Sequence, residues 1–124
     1  MKFEIKYPPD WKVDENMGGP IFYKGNKINE GRIDPYRDTM GLRVLERDST
    51  CTECTAFSTK KINFNNYEAV EAITDSTVNS IFWVFPPNKN HTLRIDYYNN
   101  YANITKEDAK QLFDKITSTF KFLD

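Results

Sequence analysis

The chain has 124 residues, of which 39% are hydrophobic and 28% are charged, a composition typical of one soluble globular domain and not of a disordered or fibrous chain. Its formal net charge of -1 argues against a nucleic-acid-binding protein, because such proteins need a basic surface to displace counterions. No apolar run approaches the roughly 18 residues that span a bilayer. No charged-then-apolar leader precedes Phe3, so we expect a cytosolic protein or a mature domain whose leader has been removed.

Short strands are predicted through most of the chain. Residues 2–7 alternate between charged and apolar side chains, which predicts a half-buried strand with Phe3, Ile5 and Tyr7 on one face. The two prolines that follow end this strand, and we expect Trp11 to be a buried anchor after the turn. Further strands are predicted at 11–13, 21–23, 42–47 and 91–98. Another is predicted within 61–74, where Asn65-Asn66 indicates a turn or bulge and a short helix at 67–73 is the alternative.

The segment 80–85 is apolar at nearly every position. A strand without a polar face is covered on both sides, so this segment predicts a layer on each face of the sheet. The clearest helix is predicted at 105–120, where Thr105 and Asp108 form a capping-box pattern. Apolar residues then recur at helical spacing, at Ala109, Leu112, Phe113, Ile116 and Phe120.

A long polar connection runs from residue 25 to residue 41 and shows neither hydrophobic period. Loops of this length are often functional, so Asp34, Tyr36, Arg37 and Asp38 are candidate binding residues. Their spacing matches no EF-hand. The alternative is a solvated loop with an internal Arg–Asp pair, which would carry no function.

Cys51 and Cys54 are the two cysteines of the chain. They allow three interpretations, which are a local disulfide, a redox pair, or part of a metal site. A redox pair needs a helix at the first cysteine to lower its pKa, and the Thr/Ser-rich sequence that follows forms helices poorly. A structural zinc site needs four ligands, whereas one histidine, His91, accompanies the two cysteines. We therefore predict no metal and no cofactor, and an exposed turn position for His91.

Tyrosines cluster in "DYYNNYANIT". Alternate residues of a strand face opposite sides, so one of the adjacent pair Tyr97 and Tyr98 leaves the core side. Tyrosine is favoured at interfaces for its large area and small entropy cost. Tyr98 and Tyr101 are therefore candidate partner-binding residues, with core packing as the alternative.

Three segments together resemble PsbP-like domains. "IKYPPDWKV" is similar to the opening strand of that family with its Tyr-Pro and Trp, "INFNNYEAVEA" to its mid-domain strand, and "FDKITSTFKF" to its closing helix. The resemblance implies one domain over 1–124 with a Mog/PsbP-like α+β fold. In that fold a central, mostly antiparallel sheet is flanked by helices on both faces. A mid-domain helix would have room only near 50–60 or within 25–41.

The resemblance also implies a function, since relatives include the extrinsic PsbP subunit of photosystem II, exported lipoproteins and the Ran-binding Mog protein, none of them principally an enzyme. We expect a non-catalytic accessory domain, exported and peripherally membrane-associated, monomeric or weakly oligomeric. It would recognise a protein or small ligand, but no nucleic acid, through the 25–41 loop and the sheet edge near Tyr98. Two alternatives remain open, a small thiol redox protein or sensor that uses Cys51 and Cys54, and a cytosolic adaptor resembling Mog.

Overall fold

The computed structural model describes residues 3–16, 19–25, 38–48, 50–73, 80–87, 91–101 and 103–123. These parts of the chain hold nine strands, one α-helix and a short 3-10 helix at Thr52–Ala56. The elements are β1 (Phe3–Glu4), β2 (Lys12–Asn16), β3 (Gly19–Gly25), β4 (Thr39–Arg47), β5 (Thr59–Phe64), β6 (Tyr67–Ala72), β7 (Ser80–Val84), β8 (Thr92–Asn99), α1 (Lys106–Thr117) and β9 (Lys121–Phe122).

Seven of these strands form one antiparallel sheet in the order β2-β3-β4-β8-β7-β6-β5. It consists of two meanders, β2–β4 and β5–β8, and pairing of β4 with β8 joins them from Met40↔Asn99 to Arg47↔Thr92. β1 pairs with β9 in a separate two-stranded sheet. The expectation of a mostly antiparallel sheet is therefore confirmed.

One face of the sheet packs against α1, and this face holds the main core. The hydroxyl of Thr105 accepts a hydrogen bond from the N–H of Asp108 at 3.1 Å, as its sequence position predicts for an N-cap. Phe113 of the helix stacks on Tyr97 with ring centroids 4.7 Å apart, and it meets Trp11 edge-to-face at 6.4 Å. Trp11 is 4% exposed, in agreement with its predicted role as a buried anchor.

The prediction of helices on both faces is wrong. In the described parts of the chain α1 is the one α-helix, and it covers one face. On the opposite face, Trp83 of the apolar strand β7 is fully buried against Cys51 and Ala72, with Phe57 at 5.4 Å. The apolar strand does require cover on both sides, but a 3-10 segment supplies the second layer because the Thr/Ser-rich sequence disfavours an α-helix.

The segment 61–74 forms most of a tight hairpin, from within β5 through the turn at Asn65 and Asn66 to the end of β6. Asn65 and Asn66 both have positive φ, 52° and 69°, which is the backbone of a two-residue type I′ turn and is tolerated by asparagine. The side-chain amide of Asn65 also donates to the carbonyl of Thr117, and to that of Phe120 at 3.2 Å. The turn is thereby tied to the C-terminal end of α1.

We predict that Asn65→Gly lowers the free energy of unfolding by about 1–2 kcal/mol, because the carbonyls of Thr117 and Phe120 lose their donor. Asn66→Gly is the matched control. It keeps a residue suited to positive φ and retains the hydrogen bond from the backbone N–H at position 66 to the side-chain Oδ1 of Asn63, so its effect should stay within about 0.5 kcal/mol. Urea denaturation measures both values, and equal losses would contradict the role given to the Asn65 amide.

Tyr97 gives the fold a defined response to alkaline pH. Burial raises the pKa of its hydroxyl above the ordinary value of 10.0, although the hydrogen bond to Thr117 at 2.9 Å partly opposes the shift. The folded chain therefore keeps this proton after the unfolded chain has lost it. The stabilisation is complete below pH 10 and decreases as the pH rises above it.

We predict that the parent loses about 1 kcal/mol more stability than Tyr97→Phe between pH 8 and pH 11, because only the parent has this buried hydroxyl. Urea denaturation of both proteins at each pH measures the difference. Comparing the two proteins removes the contribution of the other groups that titrate in this range. Parallel losses would contradict the assignment.

Candidate functional site

A cleft of about 880 Å³ opens on the helix side of the sheet, between residues 3–7 and the strands β2, β3 and β4. Its volume lies within the range of about 300–1,000 Å³ that is usual for ligand sites. Its apolar lining includes Phe3, Ile5, Tyr7, Val13, Phe22, Val44 and Leu93.

The floor of the cleft is part of the core that α1 leaves uncovered. Val44 on β4 and Leu93 on β8 are only 2% and 1% exposed, so the floor belongs to the packed core and presents little of its surface to solvent. The helix packs on Tyr97, and Leu93 lies four residues earlier on the same strand, about 13 Å away along it. No residue of α1, all of which the structure describes, lines the cleft.

Residues 3–7 form a wall that is held from outside the large sheet. Phe3 pairs with Phe122, its ring stacks on Phe120 at 5.7 Å, and the N–H of Lys6 donates to the hydroxyl of Thr119 at 2.8 Å. The predicted strand 2–7 is thus only two residues long as a paired strand. Its apolar side chains do share one face, as the alternation predicted, and they line the cleft.

The rim of the cleft is mainly acidic. Glu4, Glu15 and Glu46 line it together with Arg47. The guanidinium of Arg47 makes an ion pair with Glu53 and donates to the carbonyl of Glu46 at 3.1 Å, so its positive charge is already compensated. With three carboxylates and one guanidinium, the rim has a negative formal charge, which favours a cationic ligand over an anionic one.

Two smaller cavities, of about 160 and 380 Å³, lie on the other side of α1 and share Glu71 and Lys110 in their linings. Both of these charges have a partner on the protein. Glu71 pairs with Lys60 at 3.1 Å and Lys110 with Asp114 at 3.0 Å. These cavities are therefore weaker candidates than the cleft.

On the opposite face, residues 51–57 form a cap over Trp83. Cys51 and Cys54 are joined by a disulfide with Cα atoms 5.4 Å apart. Glu53 between them makes ion pairs with Arg47 and with Arg94, and the guanidinium of Arg94 lies 5.8 Å from the centroid of Trp83. The cap is thus fixed to the sheet by charge pairs as well as by apolar contact.

Asp48 lies three residues before the cap and bonds to its second residue, Thr52. Its carboxylate accepts hydrogen bonds from the hydroxyl of Thr52 at 2.9 Å and from the N–H of the same residue at 3.2 Å. These bonds hold the pKa of Asp48 below its usual value. The bonds close the backbone turn that leads into the disulfide.

The geometry of the cap favours a structural bridge. Cys51 is 3% exposed and Cys54 is partly buried, which limits access to the bridge for thiol exchange. The segment that follows it is a five-residue 3-10 helix and not the α-helix whose N-terminus would lower a thiol pKa. Within the described residues, no three His, Cys, Asp or Glu side chains are grouped to hold a metal ion, and His91 lies exposed just before β8.

The binding residues predicted from the sequence lie elsewhere. Asp34, Tyr36 and Arg37 fall outside the described residues. The hydroxyls of Tyr98 and Thr39 lie 3.0 Å apart, and Asp38 immediately precedes Thr39. Tyr101 also lies at this end of the sheet.

None of the described candidates lines the cleft. Thr39 and Arg47, at the two ends of β4, are about 26 Å apart along the strand, and the cleft lies at the Arg47 end. Tyr98 is on β8, the central strand of the sheet, so it lies at the end of a strand and not at a lateral edge. The signal for the cleft was present in the half-buried alternation of residues 3–7.

No family model matches the chain, and no curated protein matches it by sequence. A structural neighbour is a protein from Bacteroides thetaiotaomicron VPI-5482, with a crystal structure at 1.50 Å resolution. The TM-score is 0.54 and the sequence identity 10%, over 98% of this chain. At this identity the likeness shows the fold alone. The chain spans about half, 45%, of the length of that neighbour.

We predict that replacing both Cys51 and Cys54 by serine lowers the free energy of unfolding by about 2 kcal/mol, because a short closed loop is released in the unfolded chain. Urea denaturation measures the loss. Dithiothreitol should destabilise the parent by a similar amount and leave the double variant unchanged, which separates the bridge from other effects of the serines. A double variant as stable as the oxidised parent would mean that Glu53 and Phe57 hold the cap without the disulfide.

Proposed function

We propose that the chain is a non-catalytic binding domain of PsbP-like type, which recognises its partner in the cleft beside β1. The observation that carries this proposal is the cleft itself, since a depression of about 880 Å³ that combines apolar side chains with a charged rim is suited to hold a ligand with an apolar group. The floor of the cleft belongs to the sheet and forms its rigid side. The wall, residues 3–7, is held separately and forms its adaptable side.

The chemistry of the lining supports binding over catalysis. Among the described residues that line the cleft, none is a histidine, cysteine, serine or lysine. The titratable groups of the rim are carboxylates, one arginine and Tyr7. A serine, cysteine or lysine nucleophile with an adjacent base, one arrangement used for covalent catalysis, is not found among these described residues.

The segments that resemble PsbP-like domains support the same site. "IKYPPDWKV" supplies the wall, the turn and the beginning of β2, and "FDKITSTFKF" supplies the end of α1 and β9. Lys6 of the first segment donates its N–H to Thr119 of the second, and Phe3 and Glu4, just before the first segment, pair with Phe122 and Lys121. The proposed kinship with PsbP-like domains and the proposed binding site therefore involve the same part of the chain.

We further propose that the domain is exported and works in a periplasmic or lumenal space or at the outer face of a membrane. The disulfide of the cap supports this location, because such bridges persist in oxidising compartments. The same observation disfavours the cytosolic adaptor. No helix in the described residues is long and apolar enough to cross a membrane.

The proposal is tested with Nile red, an uncharged fluorescent dye whose emission rises in apolar sites. We predict saturable binding of one dye per chain. Ile5→Lys should weaken it at least tenfold, because a charge enters the wall of the cleft. Ile73→Lys is the matched control, since Ile73 is 58% exposed and does not line the cleft.

A second variant, Tyr7→Ser, guards against misfolding of the first, because Tyr7 is already 39% exposed. Circular dichroism and thermal unfolding verify the fold of all three variants. Absence of dye binding to the parent, or equal binding to Ile5→Lys and Ile73→Lys, would show that the cleft is not a binding site.

A further inference from the structure

We infer that the cleft takes an extended peptide segment of a partner protein, with apolar side chains alternating with lysine or arginine. This inference rests on the proposed function and names the partner of that same site. Three features of the cleft carry it, namely the unpaired edge of the wall, the direction of its side chains and the charge of its rim.

In the described part of the chain, the edge of the wall that faces away from residues 119–122 has no hydrogen-bonded strand beside it. Lys6 directs its N–H towards Thr119, and neighbouring N–H groups of an extended segment point to opposite sides. The N–H groups of Ile5 and Tyr7 therefore point away from the segment 119–122. Within the described part of the chain, no hydrogen bond to either group is found. An extended peptide could pair there as an added strand.

The side chains of such a strand would enter the cleft. Phe3, Ile5 and Tyr7 all point into it, and a strand added beside them would direct every second side chain to the same face. Those side chains would lie over Val44 and Leu93 on the floor. The alternate side chains would remain at the surface, near the rim.

The rim selects the charge of these surface side chains. Three carboxylates, of Glu4, Glu15 and Glu46, surround the cleft, and the one guanidinium, of Arg47, already contacts Glu53. Glu4 has a cation nearby, Lys121, but at 3.8 Å and on the exposed surface, where such a pair is weak. A negative rim attracts lysine and arginine and repels acidic peptides, fatty acids and anionic membrane surfaces.

The experiment uses the whole chain and two fluorescently labelled peptides, KVKIKVK and EVEIEVE, which share their apolar residues and differ in charge. Fluorescence anisotropy at low salt should show that KVKIKVK binds at least tenfold more tightly than EVEIEVE. Glu15→Lys combined with Glu46→Lys should remove this preference. The control Glu68→Lys, on the exposed part of β6 away from the cleft, should retain it.

Backbone pairing is tested with two further versions of KVKIKVK, N-methylated at either the odd or the even positions. Only one set of N–H groups can face residues 5–7, so one version should lose binding at least tenfold and the other should keep it. Equal binding by both would overturn strand addition. Two other occupants are tested in the same way. Dodecylamine below its micelle concentration represents a cationic amphiphile, and vesicles of phosphatidylglycerol represent an anionic membrane surface.

These outcomes separate the inference from the function on which it rests. If Nile red binds at the cleft but the two peptides bind equally or not at all, the peptide inference is wrong while the proposed binding site stands. Binding of dodecylamine or of the vesicles without binding of KVKIKVK overturns the inference in favour of that occupant. If Nile red also fails to bind, both proposals fail together.

Discussion

In the described parts of the chain, one twelve-residue helix packs on one face of a seven-stranded sheet, and this mismatch in size affects how the rest of that face is covered. Such a helix is about 18 Å long, whereas seven strands at their usual spacing extend over about 29 Å. The helix is placed over Tyr97 and Trp11. The remaining apolar surface has to be covered by other parts of the chain, and residues 3–7 cover it incompletely.

The opposite face meets a similar constraint in a different way. Trp83 has no exposed surface, and burial of such a side chain stabilises the fold only if something packs over it. A short cap does this with a disulfide, one ring contact and two ion pairs from Glu53. Covalent closure and charge pairing thus replace the apolar area that a longer helix would bury. The cap is correspondingly small, and most of this face depends on side chains of the sheet itself.

Much of the fold could be predicted from the sequence because its signals are local. Alternation located the strands, the paired asparagines marked the hairpin turn, and the stripe from Ala109 to Phe120 located α1. The second helical layer was the main error. An all-apolar strand such as 80–85 demands cover on both sides, but this pattern does not specify whether a helix or a capped turn provides it.

The candidate site could not be predicted in the same way, because it arises between segments distant in sequence. Ile5 meets the end of β4 only after residues 3–7 are tied to 119–122, and no local pattern encodes that contact. Composition directed attention to the polar connection 25–41 and to the tyrosines at the far end of β4, since polar loops and exposed aromatics are common in binding sites. The half-buried alternation of Phe3, Ile5 and Tyr7 is the available signal, but the same alternation is typical of strands that only pack on a core.

The two sides of the cleft differ in how firmly they are held, and this difference bears on recognition. β2, β3 and β4 belong to the continuous hydrogen-bonded sheet, and Val44 and Leu93 are buried within it. The other side is held by a two-residue pairing, a ring stack and the bonds between Lys6 and Thr119. Segments with few contacts open at lower free energy than the core. The width of the cleft can therefore adjust at residues 3–7 without disturbing the sheet, so an occupant would be accommodated by movement of the wall while the floor fixes its depth.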